Sequence, residues 1–248
     1  MSTAQITTFT ALRFNGMRNR WQALGQMGRS PERLAAIDGL VFGKMLGSGG
    51  GKGFSIWPNF GVYCLLLVWE DETAARRFYS ENTWFKELSS AASEHWTLFL
   101  QTVKAHGQWD GQSPFQATAS IAESHPVAVL TRATIHRRHL LRFWTFVPPV
   151  SASVEQFRDQ TAFSAGIGEL PLIQQATFSL WRDSAAMKTY AYQSKLHSEV
   201  VRKTRELGWY SEELFARFRP YDSSGTWNGA DPFKKILNEN PDLTSILP

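Results

Sequence analysis

The sequence predicts an α+β chain of two tandem ferredoxin-like (βαββαβ) units. Three observations lead there. Residues 1–107 read as β-α-β-β-α-β from their apolar periodicity. The pattern repeats over 125–220 after a Gly-, Ser- and Gln-rich linker at 108–124. The repeat also shows in residues: VWEDETAARRFY from Val68 lies over LWRDSAAMKTYA from Leu180 at an offset of 112, pairing Trp69 with Trp181, Asp71 with Asp183 and Phe78 with Tyr190.

Taken in order, Ile6 to Phe14 alternates as a strand, and Arg18 to Ile37 has helical spacing (Trp21, Leu24, Met27, Leu34, Ile37). Pro31 is expected to restart that helix, since proline suits a first turn. Leu40 to Leu46 is a second strand, and Gly47 to Ser55 a loop. Gly61 to Trp69 is apolar on both faces, which predicts a central, covered strand. Glu72 to Glu94 reads as one helix capped by Asp71, and Trp96 to Val103 as a fourth strand.

In the second unit, Val127–Thr134 and Leu140–Phe146 carry strand character, and Ser153–Gln160 suits a short helix. Gly166–Gly168 sits near the next strand. Gln174–Trp181 alternates well, Asp183–Gly208 is an amphipathic helix, and Glu213–Arg219 closes the unit. The tail, 221–248, is polar and is expected to wrap the surface.

The balance of 26 basic and 22 acidic residues is mildly basic, and the cations are scattered. That does not call for nucleic acid. One cysteine, Cys64, excludes an internal disulfide and a cysteine zinc cluster. No signal-peptide pattern is seen, and the longest apolar run, Val62 to Trp69, is far short of a membrane span. The chain is expected to be cytosolic or to lie against the inner face of a membrane. Ten Trp and 17 Phe point to thick cores or a pocket for a flat, apolar ligand.

Several motifs carry little chemistry. The Gly47–Gly53 stretch fits neither G-x-x-x-x-G-K-[ST] nor G-x-G-x-x-G, so a flexible connection is the plainer reading and a mobile lid the functional one. His136 and His139, if on a strand, would point to opposite faces and could not chelate together. His95, His106 and His125 fall at element ends or in the linker and read as solvated. No HExxH or histidine box provides a diiron site. Glu169 and Glu199 read as surface or cap residues. Cys64, on the central strand, reads as packing.

The helix Asp183–Gly208 is the exception. Asp183 can cap it and Gly208 can end it. Tyr190, Ser194, His197 and Val201 share one stripe, and the repeat sets His197 where the first half has Phe85. A histidine on a core-facing stripe is either a hydrogen-bonded core residue or an axial ligand to a buried metal or haem. Both remain open on the residues alone.

RWQALGQM (Arg20–Met27), the KMLGSGxGxGFxxWPNxxVY pattern (Lys44–Tyr63), GIGELPLIQQATFSLW (Gly166–Trp181) and KLHSEVVRKTRELGWYSEELFARF (Lys195–Phe218) resemble the bacterial spheroidene monooxygenase family. The resemblance runs from about Phe9 to about Trp227. It implies a carotenoid-modifying oxygenase with a haem cofactor, O2 and a ferredoxin-type electron donor, placing oxygen on a linear polyene to give a keto product. The duplicated layout also looks like the dimeric α/β-barrel haem proteins, which implies a barrel-like pseudo-dimer and an axial histidine from the C-terminal half. His197 matches that position. Trp57, Phe178 and Trp181 are candidates to line the pocket, with Phe178 and Trp181 as cofactor contacts. Arg132 and Arg137 are candidates for a distal polar group. Rival readings are a haem lyase or peroxidase of aldoxime dehydratase type and a non-catalytic binder of apolar ligands. An apolar substrate leaves peripheral membrane contact open.

Overall fold

The computed structural model describes residues 4–50, 57–140, 144, 158–170, 172–193 and 207–246. His197 and Glu199 lie outside them. The first half contains β1 (Ile6–Arg13), α1 (Met17–Ala35), β2 (Leu40–Gly49), β3 (Pro58–Trp69), α2 (Glu72–Glu81), α3 (Thr83–Ala91) and β4 (Glu94–Gly107). The second contains β5 (Val127–Ile135), β6 (Thr161–Gly168), β7 (Gln174–Trp181), α4 (Ser184–Gln193) and β8 (Tyr210–Gly225), followed by α5 (Pro232–Glu239). Eight strands close into an antiparallel barrel in the order β1-β3-β2-β6-β7-β5-β8-β4.

Within it, β4-β1-β3-β2 and β8-β5-β7-β6 follow the same relative order, and equivalent edges meet. The β4–β8 seam pairs along most of both strands, from Trp96↔Gly225 to Gly107↔Leu214. The β2–β6 seam pairs only Gly47↔Gly168 and Ser48↔Ile167.

The central strand is β3, as its doubly apolar pattern requires. Cys64, Leu66 and Val68 enter the barrel interior, while Tyr63, Leu65, Leu67 and Trp69 face outward under the first-half helices. Burial pushes the Cys64 thiol well up, so it stays a protonated packing group. The barrel interior is filled with side chains from both halves, among them Phe9, Trp96, Phe163, Phe178 and Phe218.

Several elements differ from expectation. Helix α1 runs through Pro31 without restarting. Proline lacks the N–H that would bond the Met27 carbonyl, and the Ser30 hydroxyl donates to that carbonyl instead, at 2.7 Å. The expected single helix Glu72–Glu94 breaks at Asn82, which is extended (φ −63°, ψ 123°). Its side chain accepts from Phe85 N at 3.0 Å, capping α3 and aiming Trp84, Phe85 and Leu88 at the sheet. Strand β2 continues through Gly47–Gly49, because Ser48 has partners on both sides. Leu140 and Trp144, expected on a strand, have helical backbone; the second-half strand is Thr161–Gly168. Of the short helix expected at Ser153–Gln160, the described part is a 3-10 turn, Arg158–Gln160.

The 221–248 tail is not a polar wrapping. β8 extends to Gly225, Asp231 caps α5, and Phe233, Ile236 and Leu237 are buried against the barrel core near Phe163 and Trp227. The 108–124 connection likewise buries Trp109 and Phe115 in that core.

Candidate functional site

The two halves differ most on the outward face of their sheets. In the first half, Tyr63, Leu65, Leu67, Thr8 and Thr10 are sealed beneath Phe78, Tyr79 and Phe85 of α2 and α3. The Tyr79 hydroxyl lies 2.9 Å from both Thr8 Oγ1 and Thr10 Oγ1. Burial raises its pKa to about 12, against the opposing pull of those hydrogen bonds. It is therefore a neutral hydroxyl joining helix to sheet.

In the second half, the same offset of 112 sets Gln175, Thr177 and Ser179 where the first has Tyr63, Leu65 and Leu67, and Ala191 where it has Tyr79. Tyr63, Leu65, Leu67 and Tyr79 of the first face are thus exchanged for smaller or more polar residues, while Phe78 keeps an aromatic counterpart in Tyr190. Thr131, in the middle of β5, is exposed, and Ala133, Gln175, Thr177, Ser179 and Phe215 are only half-buried. Thr131 and Thr177 hydrogen-bond to each other across the strands. Among the described residues, the middle of this face is lined by small or polar side chains of β5 and β7.

One end of this face is walled by aromatics. Trp181 stacks on Tyr190 of α4, centroids 5.1 Å apart and planes at 30°, and donates Nε1–H to Ser179 Oγ at 2.9 Å. At the other side His106 stacks on Phe215 at 5.2 Å. His106 is exposed, as expected, and its register opposite Phe215 across β4–β8 sets its ring on that side. Arg217, on the same face, has a buried Nε without a hydrogen-bond partner, a donor suited to a carboxylate.

Helix α4 is positioned as the repeat implies. Asp183 Oδ1 accepts from Ala186 N at 2.7 Å, just as Asp71 Oδ1 accepts from Ala74 N at 2.8 Å in α2. Gly208 has φ +56°, the left-handed backbone of a helix-ending glycine.

The other sequence candidates disperse. Phe178 and Trp181 are three residues apart on β7 and so face opposite ways: Phe178 is inside the barrel, stacked on Phe9, and Trp181 is under α4. Trp57 is exposed at the start of β3. Arg137 is exposed, whereas Arg132 turns into the barrel mouth. There it pairs with Glu212 and lies 3.4 Å from Asp110. Glu169 takes the Trp109 Nε1–H at 2.8 Å and lies 2.7 Å from Lys44 Nζ. This ion cluster closes one barrel end and faces away from the open sheet. His136 precedes and His139 ends a 3-10 turn, Arg137–His139, not a strand, and their rings lie 6.4 Å apart. Among the described residues no three His, Cys, Asp or Glu side chains group as a metal site, and no helix is long and apolar enough to cross a membrane.

A closed, eight-stranded antiparallel α+β barrel is the class of protein this fold defines. Its fold is similar to that of a crystallised aldoxime dehydratase, with TM-score 0.61 at 11% identity over 94% of this chain and 87% of the other. A second aldoxime dehydratase, crystallised with butyraldoxime, gives TM-score 0.60 at 11% identity over 94% and 85%. No protein-family model matches the chain. Sequence relatives are closer. The chain is 37% identical to the spheroidene monooxygenase of Cereibacter sphaeroides over 96% of its own length and 73% of the relative's. It is 36% identical to that of Rhodobacter capsulatus, over 94% and 97%. It is 34% identical to that of Rubrivivax gelatinosus, over 77% and 73%. The chain belongs to the spheroidene monooxygenase family and is a monooxygenase.

Proposed function

We propose that this monooxygenase acts on a linear carotenoid or similar apolar polyene, and that it does so with haem held over the open outward face of β5, β7 and β8. The observation that carries this reading is the exchange of Leu65, Leu67 and Tyr79 in the first half for Thr177, Ser179 and Ala191 in the second. Three bulky groups are removed from one side of a duplicated fold. Phe85, the first-half counterpart of His197, is buried and turned toward the sheet, with its ring 4.8 Å from that of Tyr79. On that ground His197 is the residue we assign to hold the iron.

The residues fit such a group. The middle of the face is lined by Thr131, Thr177 and Ser179, Trp181 and Tyr190 stack at one end, and the orphaned Arg217 Nε suits a carboxylate edge. A carbonyl or carboxylate accepting from Nδ1 of His197 would leave Nε2 for the iron. Bound haem would supply reductive activation of O2. Electrons from a ferredoxin-type donor and a keto-carotenoid product complete the reading. The substrate does not dissolve in water, so peripheral contact with a membrane belongs to it too. We also read the halves as tandem ferredoxin-like units, supported by their matching strand orders.

The test is an absorption spectrum of protein supplied with haem. Wild type is expected to show a Soret band that His197→Ala loses or shifts, and to consume O2 when carotenoid and reductant are added. A wild-type spectrum without that band, or an unchanged one in His197→Ala, overturns the haem assignment.

A further inference from the structure

The first-half surface holds an apolar patch that the core does not use. Met17 and Trp21, one turn apart on α1, are 74% and 66% exposed, and Trp57 and Phe60, at the start of β3, are 78% and 51% exposed. The two pairs are neighbours. Phe14 N donates to the Gly61 carbonyl at 2.7 Å, and Arg20 Nε donates to the Phe14 carbonyl at 3.3 Å. A Cβ on Gly61 would sit 3.4 Å from that same Arg20 Nε. The opening turn of α1 is thus held against the strand that presents Trp57 and Phe60.

The chain on the α1 side of the patch is basic. From Arg13 to Ser30 the chain contains four arginines and no carboxylate. Arg13 is engaged with Glu94, but Arg18, Arg20 and Arg29 are exposed. Large aromatics projecting from a positively charged rim have the composition of a surface that enters the headgroup layer of a bilayer. The indole ring prefers that layer, and long arginines snorkel beside it to phosphates. Positive charge selects anionic lipid.

We propose that Met17, Trp21, Trp57 and Phe60, rimmed by Arg18 and Arg29, dock this enzyme on an anionic lipid surface. The proposal rests on the oxygenase reading only for its purpose, delivery of a membrane-dissolved substrate. The test needs neither haem nor carotenoid, so either idea can fail alone.

Purified full-length protein is sedimented with phosphatidylglycerol vesicles and with neutral phosphatidylcholine vesicles. Binding is expected on the anionic vesicles, weaker by roughly tenfold or more on the neutral ones, and reduced by salt. Trp21→Ser combined with Trp57→Ser should weaken binding by about tenfold or more while leaving the melting temperature unchanged, because both side chains are mostly solvent-exposed. Arg18→Gln combined with Arg29→Gln should remove the preference for anionic lipid. Three results overturn the proposal: no binding by wild type, equal binding by the tryptophan variant, or a wild-type dimer in light scattering that the tryptophan variant converts to monomer.

Discussion

Phe9 of β1 and Phe178 of β7 stack face to face inside the barrel, with centroids 3.8 Å apart and planes within 7°. One ring comes from each half, and Phe163 meets Phe9 edge-on at 5.7 Å. The contact ties the halves together through the interior. Phe178→Ala is expected to destabilise the protein by about 3–5 kcal/mol, the usual cost of emptying a buried phenylalanine site. Urea unfolding measures this. Under the proposed haem reading, folded Phe178→Ala should keep the wild-type spectrum, since the ring points into the barrel.

Thr177→Leu restores on β7 the side chain that β3 has at Leu65. Thr177 is half-buried and its hydroxyl bonds only across to Thr131 in the described structure. Stability is expected to change by less than ~1 kcal/mol. Haem titration should nevertheless show binding weakened by an order of magnitude or more, because the new side chain occupies the space above the sheet. Unchanged affinity would overturn the proposal that haem binds over this face.

Ser30→Ala leaves the Met27 carbonyl without the donor that Pro31 cannot provide. Ser30 is buried, so water does not readily replace the hydroxyl. A loss of about 1 kcal/mol is expected in chemical denaturation. Pro31→Ala combined with Ser30→Ala should recover part of it by returning a backbone N–H.

Acid sensitivity follows from two carboxylates. Burial alone would raise the pKa of Glu212, but hydrogen bonds from Gly111 N–H, Arg132 and Asp110 N–H outweigh it and hold the group below its ordinary 4.5. Glu94 is likewise held low, against its own burial, by Gly229, Asn228, Thr226 and Arg13. A depressed folded pKa contributes stability above the unfolded value and loses it as pH falls through the folded one. The melting temperature is therefore expected to fall as pH drops below about 4.5. In Glu212→Gln it should start lower at neutral pH and fall less steeply.

Much of this architecture was legible in the residues. The offset that pairs Trp69 with Trp181 also pairs two aspartates making the same cap, at 2.8 and 2.7 Å. Side chain and local backbone are set by the same few residues there, so sequence suffices. It failed where long-range pairing decides. TAFSAGIG, rich in Gly and Ala, has weak strand character, yet it forms β6 because the edges of β2 and β7 each need a partner. The aromatic run from Leu140 looked the better strand and is not one where described. Helix α5 had a signal that composition hid: Asp231 and Pro232 open it, and Phe233, Ile236 and Leu237 recur at helical spacing. Within the candidate site, the open face was visible only once strand register showed which residues of β7 turn outward. The sequence pointed to Phe178 and Trp181 together, and the two-residue period of a strand separates them.

The seams join β2 to β6 and β4 to β8, like edge to like edge, as a twofold axis would. Were the halves separate identical polypeptides, any replacement that opened one sheet would open its mate as well and strip cover from both. Joining them in a single chain lifts that constraint. One half can then keep an aromatic lid, Phe78, Tyr79 and Phe85, while the other is free to change the residues of its own sheet face.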